Sequence, residues 1–429
     1  MSKFSRLILI LMVLCCLPLS APAENQKIVV TFIGDCTLGG EDRIRDYSFS
    51  FDTILQKNGY KYFFKKVQSV IAKDDLTVAN LECVLSDSSS GKVRGKTYNF
   101  RAPTKFVKVL TSSSVECVNI VNNHTLDYGN AGMKSTVVAL GNAKVKWFGT
   151  NDVYNRTYIY TKGKIKIGFL GAEISYFEKN KDVFKKQVDD LKKAGCQMIV
   201  GVMHGGVEYA TNRDKPQERV AHQMVDWGCN VVIGHHPHVL QGMEIYKQAT
   251  ICYSIGNFVF GGNKLIKKKR ALYSALFQFT FTFNEKNKYL GQQLNILPCL
   301  ITGDPMRQRN DYQPYLTQGT DANFAIKLIQ RDTPDFTLKP YKKGVGAVQA
   351  YLPATKKATA KPTVKPTAKP TAKPTAKPTA APTTVPTPLP DVTATPAVTP
   401  APELTPIPET APTPAATLTP GEPNAEQAK

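Results

Sequence analysis

This sequence predicts a layered α/β domain, and three observations carry the prediction. Five short runs, KIVVTFIG from Lys27, LTVAN from Leu76, VECVNIV from Val115, QMIVGVM from Gln197 and NVVIG from Asn230, have the Val- and Ile-rich character of strands buried on both faces. Stretches with apolar residues at helical spacing lie between them. Each run also closes on Asp, Glu, Asn or His, at the strand ends where open α/β sheets build their sites.

Taken in order, KYFFKKVQSVIAK (61–73), AGMKSTVVALGNA (131–143), DVFKKQVDDLKKAG (182–195) and PQERVAHQMVDWG (216–228) read as the amphipathic helices between these strands. After Gly242 the chain turns β-rich, with EIYKQATICYSIGNFVFG and ALYSALFQFTFTF, so a second sheet packed on the first is expected. ANFAIKLIQ (322–330) reads as one further helix.

Neither end of the chain reads as core. Lys3 and Arg6 precede an apolar run that closes on small residues around Ala21–Ala23, the pattern of a secretory signal peptide over 1–23, cut after Ala23. An uncleaved anchor and a lipoprotein signal at Cys15 or Cys16 are the competing readings. Over 352–429 a four-residue unit of Lys, Pro, Thr and Ala repeats and then gives way to Pro, Thr, Ala and Glu. Such a segment has too little apolar surface to fold and is biased toward extended polyproline II. It reads as a disordered, cationic stalk, with a tail that has no task as the alternative. Residues 24–351 are then the folded domain.

A formal net charge of +21 on an exported chain points to polyanionic partners: cell-wall polymers, anionic lipid heads or an anionic capsule. Nucleic acid is not expected, because an exported chain rarely meets it and no nucleic-acid module is recognisable. Seven cysteines follow the leader: Cys36, Cys83, Cys117, Cys196, Cys229, Cys252 and Cys299. They are odd in number, contain no CxxC and mostly sit in apolar runs, so buried free thiols are expected rather than a disulfide framework.

The polar residues at the strand ends form a set. Asp35 follows the first run, Asn80 and Glu82 the second, Asn122, Asn123 and His124 the third, His204 the fourth, and His235, His236 and His238 the fifth. Five of the six histidines belong to it; the sixth, His222, lies in a helical pattern and reads as structural. Carboxylate, amide and imidazole donors without thiolate suit a divalent transition metal such as Mn, Zn or Fe. Asp35, Glu82, Asn123, His204, His236 and His238 exceed what one tetrahedral ion needs, and two ions bridged by a carboxylate would use them all. Adjacent side chains are hard to aim at one ion, so His235 is assigned to substrate or to a supporting contact.

The ordered motifs GDCTLGG, NLECVLS, NNHTLDYG, HGGVEY, GHHPHVLQG and YSIGNFVFG, closed by NDYQP at 310–314, resemble the CapA family of poly-γ-glutamate capsule synthesis proteins. The resemblance covers roughly 27–313 and implies a calcineurin-like metallophosphatase fold. It also implies that Asp35 begins the first metal motif, that Asn123 and His124 stand for a metal ligand and a catalytic histidine, and that His236 and His238 supply a paired-histidine motif. Two positions depart from the superfamily: Thr37 stands where a histidine is expected and Glu82 where an aspartate is usual. The expected function is a part in making, exporting or anchoring poly-γ-glutamate, beside membrane components of a capsule synthase. The site would be that of a metal-dependent hydrolase or transferase; the alternative is a non-catalytic, polymer-binding assembly component. Lys267, Lys268, Lys269 and Arg270, just after YSIGNFVFGG, are expected to gather the polyanion near the cleft mouth.

Overall fold

The computed structural model describes residues 24–261, 268–304, 309–340 and 348–353. The leader, Lys267 and the repeat beyond Pro353 lie outside the described residues. Seven strands run parallel and side by side in sequence order: β1 (Gln26–Cys36), β2 (Leu76–Leu81), β3 (Cys117–Asn119), β4 (Lys146–Thr150), β5 (Ile165–Glu173), β6 (Met198–His204) and β7 (Val231–His235). Beyond β7 lie β8 (Met243–Tyr246) and β9 (Ala249–Cys252), with β9 parallel to β7 and β8 antiparallel to β9. Strands buried on both faces have no use for alternation, and β2, β6 and β7 are buried at every position.

Helices α1 (Phe51–Asn58), α2 (Gly129–Asn142), α3 (Lys181–Lys193) and α4 (Lys215–Trp227) connect the parallel strands. Helix α4 starts where Asp214 and Gln217 cap each other reciprocally, with Pro216 in the first turn. Apolar residues sort into layers. Ile33, Ala79, Leu81 and Val118 of β1–β3 pack against Met133 and Leu140 of α2. Leu170, Ile199 and Val232 of β5–β7 pack against Phe184 and Leu191 of α3 and Met224 of α4.

The β-rich part differs from the expected second sheet. β10 (Tyr273–Phe283) pairs antiparallel with the free edge of β1, and β11 (Tyr289–Leu300) with β10, so both extend the same hydrogen-bonded sheet. The extended sheet shares one core, in which Phe277, Phe279, Phe281 and Ile296 join Val30, Phe32, Val200 and Ile233. Helix α5 (Gly319–Gln330) adds Ala325 and Ile329 to it. An open β1 edge would have left a row of unpaired backbone groups, which β10 satisfies.

A second difference concerns 61–73. Its backbone makes successive i→i+3 bonds, Lys65 to Tyr62 and Val67 to Phe64, before a short helix at Gln68–Ile71. Phe63 stacks on Phe51 with centroids 4.1 Å apart and Phe64 packs on Phe258, so tertiary anchoring of adjacent aromatics overrides the helical period. The seven cysteines are free thiols, six of them buried. Among the described residues no helix is long and apolar enough to cross a membrane.

Candidate metal centre

Because the seven strands are parallel and in sequence order, their carboxyl ends fall on one edge. Two close backbone approaches shape it. A Cβ on Gly34 would lie 2.0 Å from the Gly256 carbonyl oxygen, and one on Gly234 would lie 2.0 Å from that of Tyr253. Only glycine lets the 253–257 segment cross over β1 and β7 at this distance. The pairing of β1 with β2 slips between Ile33 and Asp35, a bulge that re-aims the aspartate. Its backbone is then clamped, with its N–H on the Gly256 carbonyl and its carbonyl on the Phe258 N–H. His236 and His238 hold φ of +98° and +57°, conformations that cost a non-glycine residue about 1–3 kcal/mol each and concentrate at functional sites.

Asp35 is fully buried and ringed by donors. Asn80 Nδ2 donates to Oδ1 at 2.9 Å, His235 Nδ1 lies 2.9 Å from Oδ1, and His238 Nδ1 lies 3.1 Å from Oδ2. Burial opposes its ionisation, but bonding and charge from His235 and His238 outweigh burial and hold the carboxyl well below its ordinary range. Asn80 also faces His204 Nδ1 at 3.3 Å and receives the Nδ2 of Asn119 at 2.9 Å. His204 Nε2 meets Asn123 Oδ1 at 2.8 Å, and His238 Nδ1 meets Asn257 Oδ1 at 2.9 Å.

Glu82 is the anomaly. Both carboxylate oxygens are buried and neither has a hydrogen-bond partner among the described residues. Three imidazole nitrogens surround Oε1 without reaching it: His204 Nε2 at 3.7 Å, His238 Nε2 at 3.8 Å and His124 Nε2 at 4.0 Å. Burial first, then the charges of Asp35 and Glu208, push its carboxyl well above the ordinary range. Burial likewise pushes His204 well down, and lowers His236 with help from His238, so both imidazoles keep the lone pair a metal needs. The Nδ1 of His236 is also buried without a partner among the described residues. A buried carboxylate without donors is costly unless a cation compensates it. Ligand atoms of Glu82, His236 and His238 lie within 4.8 Å of one another, and so do those of Asp35, Glu82 and His204. The donor set therefore suits a divalent metal, with Glu82 common to both groups.

Residues 29–262 match the model of a family described as bacterial capsule synthesis protein PGA_cap, more than half of the chain. The chain belongs to this family. Over 332 residues it is 31% identical to a capsule biosynthesis protein CapA of Bacillus anthracis, covering 72% of this chain and 74% of that protein. It is 26% identical to the PGA biosynthesis protein CapA of Bacillus subtilis (strain 168), covering 71% and 81%. Among solved structures, a purple acid phosphatase from yellow lupin seeds overlaps 74% of this chain and 58% of its own, with 11% identity and a TM-score of 0.36.

In this member of the PGA_cap family His124 stands apart from the ring. Its Nδ1 lies 2.7 Å from Asp127 Oδ2, and its ring stacks on Phe100 with centroids 4.2 Å apart. Asp127 also accepts the Phe100 N–H at 2.6 Å and pairs with Lys96, whose Nζ bonds the Asn123 carbonyl and lies 3.4 Å from His124 Nδ1. Burial lowers the His124 pKa against the pull of Asp127. With Nδ1 held by Asp127, Nε2 faces Glu82.

The structure thus brings Asp35, Glu82, Asn123, His124, His204, His235, His236 and His238 to one edge. His235 is placed against Asp35 and is buried with it. His222 is remote, stacked on Tyr246 and 3.0 Å from Glu244. Of the basic group, Lys268, Lys269 and Arg270 are exposed, and Lys268 Nζ sits 5.6 Å from the centre of the Tyr209 ring, which is 6.1 Å from that of His238. Asp127, Lys96 and Asn257 were not singled out from the sequence. Asp127 and Asn257 sit inside NNHTLDYG and YSIGNFVFG, and a polar residue three positions after His124 was the available signal. Lys96, in a loop of turns, gave none. Thr37 has a structural place: its hydroxyl accepts the Gly261 N–H at 3.1 Å.

Proposed function

We propose that this chain takes part in the synthesis, export or anchoring of poly-γ-glutamate or a similar anionic polymer outside the membrane, and that its metal centre performs a hydrolytic or transfer step. The unpartnered, fully buried Glu82 carboxylate among three imidazoles carries the reading. The names of the CapA relatives supply the polymer. The leader and the net positive charge support an exported, cell-surface location beside membrane components of a synthase. Asp35, Glu82, Asn123, His204, His236 and His238 would hold two divalent ions, Mn, Zn or Fe, with Glu82 shared between them. When bound, such ions polarise a phosphoryl or carbonyl oxygen and lower the pKa of water. His235 and Asn80 orient the Asp35 carboxylate, and Asn257 orients His238. Asp127 holds the Nδ1 side of His124, leaving Nε2 to deliver a proton to a leaving group. Lys268, Lys269 and Arg270, together with Lys267, would gather the polyanion at the mouth.

Elemental analysis of the purified chain, with turnover of a chromogenic phosphodiester in added Mn, tests this. Bound transition metal with turnover supports it; a chain that stays metal-free after exposure to Mn or Zn removes it. Metal without turnover on ester or γ-amide would favour the non-catalytic reading, toward which Thr37 points.

A further inference from the structure

We propose that a lysine-lined groove, separate from the metal centre, binds an extended polycarboxylate chain. The cavity is about 980 Å³ and shares no lining residue with the metal centre. Lys61, Lys65 and Lys66 line it together with Asn58, Gln68 and Gln313, and its lining contains no Asp or Glu. All three lysines are exposed, and no ion pair occupies them among the described residues. Asp311, whose carboxylate lies beside Gly303 as the Lys66 ammonium does, is already held by the backbone N–H groups of Gly303 and Gln313 at 3.0 Å.

The groove is presented rigidly. The lysines alternate with Phe63, Phe64 and Val67, which are wholly buried, so the turn carrying the charges is bolted to the core. Lys66 is further placed over the Tyr315 ring, 5.5 Å from its centre. Lysines carried on an anchored turn lose less backbone freedom on binding than lysines on a mobile segment do. The track continues, since Lys108 lies over Tyr60 at 5.8 Å and, with Lys105, lines a second cavity of about 430 Å³ that also lacks carboxylates.

The amides set the class of ligand. Asn58 Nδ2 donates to the Ile54 carbonyl, Gln68 Nε2 to Ser114 and Gln313 Nε2 to the Tyr62 carbonyl. One N–H of each amide is thereby engaged, leaving its carbonyl oxygen and its second N–H for a ligand. A wall of ammonium groups and amides complements a chain that alternates carboxylates with amide groups, as a γ-linked polyglutamate does. A polyphosphate offers charge but no donor. The inference rests on the polymer named in the proposed function, yet it needs no metal and no catalysis.

The test uses the full chain and fluorescently labelled poly-γ-glutamate in an anisotropy titration across a chloride series. Lys61→Gln/Lys65→Gln/Lys66→Gln is expected to weaken binding at least about tenfold at low salt and to flatten the salt dependence, while turnover of a small phosphodiester and the Tm stay as in the unaltered chain. The single variants Lys61→Glu and Lys65→Glu, each at an exposed position, should weaken it in the same direction. Polymer binding that is unchanged in all three variants overturns the proposal. So does polyphosphate of matched charge binding as tightly as poly-γ-glutamate with the same loss in the triple variant, since that would make the groove a bare electrostatic patch. A metal-free chain that binds the polymer through these lysines would refute the catalytic reading and leave the groove standing.

Discussion

The two ends of the same parallel strands treat carboxylates in opposite ways. At the amino ends, Asp75 accepts the Val29 N–H at 2.8 Å, Glu116 the Thr77 N–H at 2.9 Å and Asp74 the Thr77 hydroxyl at 2.8 Å, and Asp75 adds an ion pair with Lys162. At the carboxyl ends, Asp35 is ringed by imidazoles while Glu82 has no donor among the described residues. The first group closes the backbone hydrogen bonding where strands begin, as buried polar groups ordinarily do. The second is left incomplete by folding alone. An acid completed by the fold serves stability, and one that the fold leaves incomplete, deep among imidazoles, marks the place where something else must bind.

Substitutions at four positions would break or sharpen that contrast. The largest effect is expected from His124→Ala, which should cost about 10²–10⁴-fold in turnover while leaving metal content unchanged, because its place is proton delivery; parallel loss of metal would move it into the ligand set. Next comes Glu82→Gln. Residues that merely support ligands cost about 10–100-fold in metal affinity, so this shared ligand should cost at least about 100-fold by equilibrium dialysis, whereas Glu116→Gln should leave affinity unaltered. Equal losses from both would erase the distinction between the two ends.

Smaller effects are expected at the amino ends. Glu116→Ala removes the acceptor of the buried Thr77 N–H and should lower stability by about 1 kcal/mol in urea denaturation, with metal binding intact. Asp74 gives the smallest change and a pH signature. Burial, opposed by the hydroxyls of Thr31 and Thr77, raises its carboxyl from 3.8 to about 6. The folded state therefore favours the protonated acid: its contribution is complete below pH 3.8 and is lost as pH rises through about 6. Asp74→Asn should gain about 1 kcal/mol over the unaltered chain above pH 7, after discounting for partial exposure, and almost nothing near pH 4. A gain independent of pH would show that the acid is not the cause.

The parallel strands, their connecting helices and the edge where the site would lie were legible in the sequence. A strand covered on both faces must be continuously apolar, and the polar residue that ends it is adjacent in the chain, so both signals are local. Family membership was legible too, since six motifs in order survive without any knowledge of contacts. The helix expected over 61–73 was misjudged because the stacking of Phe63 on Phe51 is a contact the period cannot see. The second sheet was misjudged because joining β10 to β1 depends on which edge remains open once seven strands have ordered themselves. Within the site, the sequence by itself determined which residue types arrive at the edge. Only the tertiary structure decided their relations: that Asp35 is satisfied and Glu82 is not, that His235 bonds Asp35, and that Asp127 and Lys96 bond the His124 segment. Those relations follow from strand order, a bulge and two glycine crossings, which bring Asp35 and His238 together across 203 positions. Pairing across such separations is set by the packing of the whole sheet, which no short stretch of sequence contains.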